Sequence, residues 1–165
     1  MGQKDPEKHR RDALVQHARS VTSGPSNSDE LALFQSLLEN YHDSEFPFAV
    51  AAEWEYCPGF SNLGRGDLAF ASEWVQYDTE HEACRVLVVE VKHLNSGSGH
   101  TAKASRTHAR GKVEEQMRRS MRAWSKTHPN DEVFGAVYTS ENHRHMCDPQ
   151  TDVKIGVGYL SRCGT

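Results

Sequence analysis

The segment Arg85-Val-Leu-Val-Val-Glu-Val-Lys92-His93 constrains this chain more than any other. A run this dense in valine, with no glycine or proline, favours the extended backbone, because branched side chains pack well on a pleated surface. Successive side chains of a strand leave on opposite faces. Leu87, Val89 and Val91 therefore face a core, while Glu90 and Lys92 project side by side from the other face.

The rest of the chain reads as elements that complete such a sheet. Residues 1–27 mix charges without apolar periodicity and end in Thr22-Ser23-Gly24-Pro25-Ser26-Asn27-Ser28, which predicts a flexible N-terminal tail and linker. A folded domain over residues 28–165 follows. Leu31, Phe34, Leu37, Leu38 and Tyr41 recur at helical spacing behind a capping signal at Asn27 or Ser28. Phe48 to Tyr56, between Pro47 and Pro58, suits a strand. Beyond a turn with Gly59, Gly64 and Gly66, Asp67 to Val75 reads as a second strand, and Tyr77 to Ala83 as a hairpin-type connection into the Arg85–His93 strand. Asn95 to Ser105 offers no core positions and predicts a flexible loop. Val113, Met117, Met121 and Trp124 share one helical stripe that starts near Gly111 and stops before Pro129. Val133 to Thr139 predicts another strand, and Val153 to Leu160 a last one weakened by Gly156 and Gly158. The order helix, strand, strand, strand, helix, strand implies an α/β fold.

A chain of 165 residues fits a single domain. No apolar stretch reaches the roughly 18–20 residues of a membrane span, and Met1 to Arg11 lack the apolar centre of a signal peptide, so a soluble intracellular protein with no membrane partner is expected. Cys57, Cys84, Cys147 and Cys163 show no paired spacing, which argues against a disulfide framework or an all-cysteine zinc site. His143, His145 and Cys147, with Cys163 beyond, match no common zinc spacing.

The formal net charge of −4 excludes a protein that coats nucleic acid through its overall field. Locally the balance reverses. Lys103, Arg106, Arg110, Lys112, Arg118, Arg119, Arg122 and Lys126 are opposed only by Glu114 and Glu115. A basic patch within an acidic chain suits an enzyme with an acidic metal site and a phosphate-bearing substrate.

Chemistry concentrates where the strands meet. Leu68 and Phe70 point one way and Asp67 the other, so antiparallel pairing brings Asp67 beside Glu90. Two carboxylates and an ammonium would then share one small site. Magnesium prefers one or two carboxylates, with waters and substrate oxygens completing its shell. Asp67, Glu90 and the backbone carbonyl of Val91 are the candidate ligands, and Lys92 the candidate for orienting the attacking water or taking its proton. The plainer alternatives are an exposed polar sheet face for Glu90 and Lys92, and a turn residue for Asp67.

The pattern Gly64-Arg65-Gly66-Asp67-Leu68 followed by Val88-Val89-Glu90-Val91-Lys92 resembles the PD-(D/E)xK nuclease superfamily, over roughly Ser28 to Thr139. The resemblance implies a restriction-endonuclease-like αβββαβ core, with a central mixed sheet of four to five strands flanked by helices. It further implies a Mg²⁺- or Mn²⁺-dependent endonuclease acting on DNA, in many members as a homodimer. An RNA endonuclease of the same fold and a catalytically silent nucleic-acid-binding module are the alternatives. Gly66 stands where the family name has proline. The resemblance also gives a catalytic role to Gln116 in the following helix, and a site role to a first-helix glutamate, Glu30 or Glu39, with Glu30 the candidate for holding the metal or positioning water. Glu30 would otherwise be a capping-box residue.

Other residues extend the set. Glu53 and Glu55 are reserve carboxylates on the first strand. Lys103, Arg106, Arg110, Lys112, Arg119 and Arg122 are the candidate nucleic-acid contacts, with a solvated helix face or passive linker as the ordinary alternative.

Overall fold

A computed structural model describes residues 5–21, 28–94 and 99–140 and the backbone of 157–159. Its elements are α1 (Pro6–Val21), α2 (Ser28–Asn40), β1 (Phe48–Glu55), β2 (Arg65–Ala71), β3 (Arg85–Lys92), α3 (His100–Thr127), β4 (Glu132–Thr139) and β5 (Val157–Tyr159). The strands lie in the order β1-β2-β3-β4-β5. β1/β2 and β2/β3 pair antiparallel, whereas β3/β4 and the short β4/β5 pair parallel. The result is an α/β protein built on an open mixed sheet of four full strands, flanked by helices. The change of direction follows from the connections, since a parallel neighbour requires a long crossover, which α3 provides.

Both faces of the sheet are covered. Leu68, Phe70, Leu87, Val89, Val91, Phe134 and Tyr138 pack with Phe34, Leu37 and Leu38 of α2 and Val15 and Ala18 of α1. On the other face Ala69, Ala71, Val86, Val88 and Trp54 cluster with Trp124 of α3, and Val137 with Val113 and Met117. Each large apolar side chain so buried contributes about 1.5–3 kcal/mol. β3 is central and apolar on both sides, so Glu90 does not project into solvent as a one-sided sheet would predict; it lies completely buried beneath α3.

The segment expected to be a tail is a helix from Pro6 to Val21 that docks on the core. Asp5 supplies a cap, its Oδ1 accepting the Glu7 N–H at 3.0 Å, and Pro6 suits a first helical position. Docking rests on charge as much as on apolar surface, which hydropathy does not register. Arg11 is buried, donating to the carbonyls of Leu38 (2.8 Å), Tyr41 (2.6 Å) and Pro47 (3.2 Å), and so satisfies the open end of α2. Glu7 holds Arg11 at 2.7 Å and accepts the Ala49 N–H, also at 2.7 Å.

The other departure is α3, which starts at His100 rather than near Gly111, so residues 100–105 are helical and not loop. Its buried residues are Val113, Met117, Ser120 and Trp124. Residues 100–112 thus form helix without core positions, invisible to apolar periodicity but continuous with a packed half that nucleates them. Gly111 has no steric reason to be glycine, since nothing lies within 4 Å of where its Cβ would be. The strand expected over Asp67–Val75 starts at Arg65 and ends at Ala71. Residues 95–98, His143, His145, Cys147, Cys163, and residues 153–156 and 160 of the expected last strand lie outside the described residues. Among the described residues no helix is long and apolar enough to cross a membrane.

Gly66 has a steric reason to be glycine. A Cβ there would fall 2.2 Å from the ring atoms Cε2 and Cζ2 of Trp54, an indole 3% exposed and packed edge-on against Trp124. Proline would meet the same ring. Gly66→Ala is expected to cost about 1–3 kcal/mol through overpacking, read by urea unfolding; a cost below about 0.5 kcal/mol would mean the indole is free to yield.

Candidate active site

The ladder of β2 and β3 runs from Ala71↔Val86 to Leu68↔Val89, and one further step in the same register sets Asp67 opposite Glu90. At that step side chains replace the backbone ladder. The Val91 N–H donates to Asp67 Oδ2 at 2.7 Å, and the Asp67 N–H to Glu90 Oε1 at 3.3 Å. The register of β1 with β2 likewise sets Glu53 opposite Asp67. Three carboxylate-bearing positions therefore form a row across adjoining strands.

Glu90 is held from above as well. The Ser120 hydroxyl donates to Glu90 Oε1 at 2.5 Å, and Tyr56 lies 2.9 Å from Ser120 Oγ. Serine has one hydroxyl proton, so the Tyr56 O–H points to Ser120, and the chain runs Tyr56 to Ser120 to Glu90. Glu90 Oε2 is different: it is buried and has no hydrogen-bond partner. A buried acceptor left this way costs about 1–3 kcal/mol, and more for a charged group.

The electrostatics agree. Burial, then the charge of Glu90, pushes the Asp67 carboxyl well above its ordinary range. Burial also raises Glu90, against hydrogen bonds from Asp67 and Ser120 that favour its charged form. Glu53 is pushed up to about 7, by burial first and by Asp67 second. Carboxylates crowded together with one oxygen orphaned need either a retained proton or a cation. The donor set is hard oxygen throughout, and the C=O of Val91 points to the same strand edge as its N–H. Asp67, Glu90 and Val91 therefore fit Mg²⁺ or Mn²⁺.

Lys92 leaves the end of the same strand. Its Nζ lies 2.9 Å from Glu30 Oε1 at the start of α2, with the lysine side chain 45% exposed. Glu30 is thus brought to the site, and its charge acts on both Asp67 and Glu53. Glu39 stands near the other end of α2, where the Gln35 amide donates to it. Glu55 lies at the end of β1, its backbone carbonyl accepting the Tyr77 hydroxyl.

Gln116, expected to act in the site, is exposed; Ser120, one turn later and fully buried, is the α3 side chain that reaches Glu90. The signal for Ser120 was a small polar residue interrupting the Val113, Met117, Trp124 stripe. Tyr56 carried none, because its partner is 64 residues away. Of the expected cationic contacts, Lys103, Lys112, Arg119 and Arg122 are exposed, and Arg106 and Arg110 are partly buried. Arg119 pairs with Glu115 at 3.8 Å.

No family model matches this sequence, and no curated protein or solved structure matches the chain.

Proposed function

We propose that this protein is a divalent-metal-dependent endonuclease of the restriction-endonuclease-like fold that hydrolyses phosphodiester bonds in DNA. The observation that carries the reading is the abutting pair Asp67 and Glu90, with Glu90 Oε2 buried and lacking a donor, at a strand end that also carries Lys92. The succession α2, β1, β2, β3, α3, β4 supports the same reading. Asp67, Glu90 and the Val91 carbonyl would hold Mg²⁺ or Mn²⁺; when bound, the ion acidifies water and offsets charge on the phosphate. Ser120 and Tyr56 orient Glu90. Lys92, steadied by Glu30, donates to the attacking water or to the phosphate oxygens that gain charge.

The substrate class is supported by α3. Its 28 residues make a rod about 42 Å long at 1.5 Å per residue. The unburied half carries Lys103, Arg106, Arg110 and Lys112 and no acidic residue, which suits contact with a phosphate backbone. Lys103→Glu with Lys112→Glu is expected to weaken duplex DNA binding about tenfold or more at low salt and to reduce the salt slope by about 2. Unchanged binding would show that the duplex lies elsewhere.

The functional test is digestion of linear, circular, branched and single-stranded DNA, with RNA in parallel, with and without Mg²⁺ or Mn²⁺. Metal-dependent cleavage of circular DNA is the expected result. Cleavage of RNA alone would move the substrate, and no cleavage of any substrate, with DNA binding retained, would leave a binding module.

A further inference from the structure

At the opposite end of the sheet from Glu90, the entries to β3 and β4 lie side by side, Arg85 pairing with Glu132. Cys84 and Asp131 immediately precede these strands, and His81 stands in the connection before Cys84. One donor atom from each of His81, Cys84 and Asp131 lies within 4.8 Å of the other two. The side chains of His81 and Asp131 are 8% and 2% exposed, and Cys84 is 8% exposed.

Both ring nitrogens of His81 face acceptors. Its Nδ1 faces the Thr79 carbonyl at 3.3 Å and its Nε2 faces Asp131 Oδ2 at 2.9 Å. A protonated imidazole would donate to both and pair with Asp131, whereas a neutral one has a single N–H. If Nδ1 donates to Thr79, Nε2 presents a lone pair toward a carboxylate, an arrangement that a cation between them would satisfy. Metal-ligating histidines are wired this way, the second nitrogen bonded to a backbone carbonyl. Asp131 has equivalent support: the Trp124 indole N–H donates to Oδ2 at 3.0 Å and the Cys84 N–H to Oδ1 at 3.1 Å. Cys84 Sγ is 3.7 Å from Asp131 Oδ1. With all three donor atoms inside 4.8 Å, the side chains would draw together around an ion whose bonds are about 2.0–2.3 Å.

We propose that His81, Cys84 and Asp131 bind a zinc ion, with water in the fourth position. An imidazole, a thiolate and a carboxylate suit a borderline cation, in contrast to the all-oxygen set at Asp67 and Glu90. On binding, the thiol proton leaves to solvent and the sulfur coordinates as thiolate. The bound ion would pin the β2–β3 connection to the turn between α3 and β4, and through Trp124 to α3 itself. The site is independent of the nuclease reading.

The full chain, stripped with chelator, is titrated with Zn²⁺ and with Co²⁺ as a spectroscopic stand-in. Expected are one tightly held equivalent, a raised unfolding midpoint and a thiolate-to-cobalt charge-transfer band. His81→Gln and Cys84→Ser should each weaken zinc binding at least about tenfold, whereas the combined Cys57→Ser, Cys147→Ser, Cys163→Ser protein should bind as before. Should Cys84→Ser fail to fold, His81→Gln and the thiolate-to-cobalt band of the unaltered chain carry the test. Zinc binding unchanged in His81→Gln, loss of binding in the triple variant, or no zinc binding by the unaltered chain would each overturn the assignment.

Discussion

Lys92→Ala is expected to reduce Mg²⁺-dependent DNA cleavage by about 10²- to 10⁴-fold, the range for losing a positioned proton-transfer or charge-stabilising group. The fold should barely respond. The Lys92–Glu30 pair is close to half exposed on the lysine side, and such pairs contribute about 0–1 kcal/mol. Nicking of supercoiled DNA measures the first quantity and urea unfolding the second. Cleavage within about threefold of the unaltered protein would remove Lys92 from the chemistry. A large loss of stability would instead make the residue structural.

Asp67→Asn should have two large effects of opposite sign. Cleavage and Mg²⁺ binding should be lost, because one of the two anionic ligands is gone. Metal-free stability at pH 8 should rise by about 1–3 kcal/mol, since a neutral side chain at position 67 no longer repels the buried Glu90 carboxylate while its oxygen still accepts the Val91 N–H. The pH dependence fixes the sign. Asp67 and Glu90 titrate above their ordinary values in the folded chain, so the native state holds protons that the unfolded state has released. Their penalty is absent below the ordinary carboxylate range of about 4 and grows as pH rises through the raised values. The variant should therefore match the parent near pH 3–4 and exceed it at pH 8 in chelator. Glu53, at about 7, adds a slope that the variant keeps only in part, because burial is the first cause of its rise and the charge of Asp67 the second. Added Mg²⁺ should stabilise the parent alone. A variant less stable than its parent at pH 8 would show that the pair is not strained without metal.

Much of this arrangement was written locally. Alternation along Val88-Val89-Glu90-Val91-Lys92 assigned its faces, and the glycine turn before Asp67 set the phase that brought it opposite Glu90. What remained unread lies in long-range contacts and in polar docking. Nothing local announces that Arg11 caps the carbonyls of Leu38 and Tyr41, or that Tyr56 and Ser120 complete the hold on Glu90. The early start of α3 was hidden because its alanines, arginines and small polar residues leave no apolar rhythm. Glu90 was assigned the right face and the wrong environment, since covering of both faces is a property of the whole sheet and not of one strand.

Helix α3 is built like a cantilever. Its C-terminal half is clamped to the sheet by Val113, Met117 and Trp124, while its basic half reaches past the last clamped residue. Ser120 sits inside the clamp. A polyanion gripping the outer half would pull on a stiff rod whose inner half holds Glu90 through Ser120, so such a pull would be felt in the aim of that carboxylate.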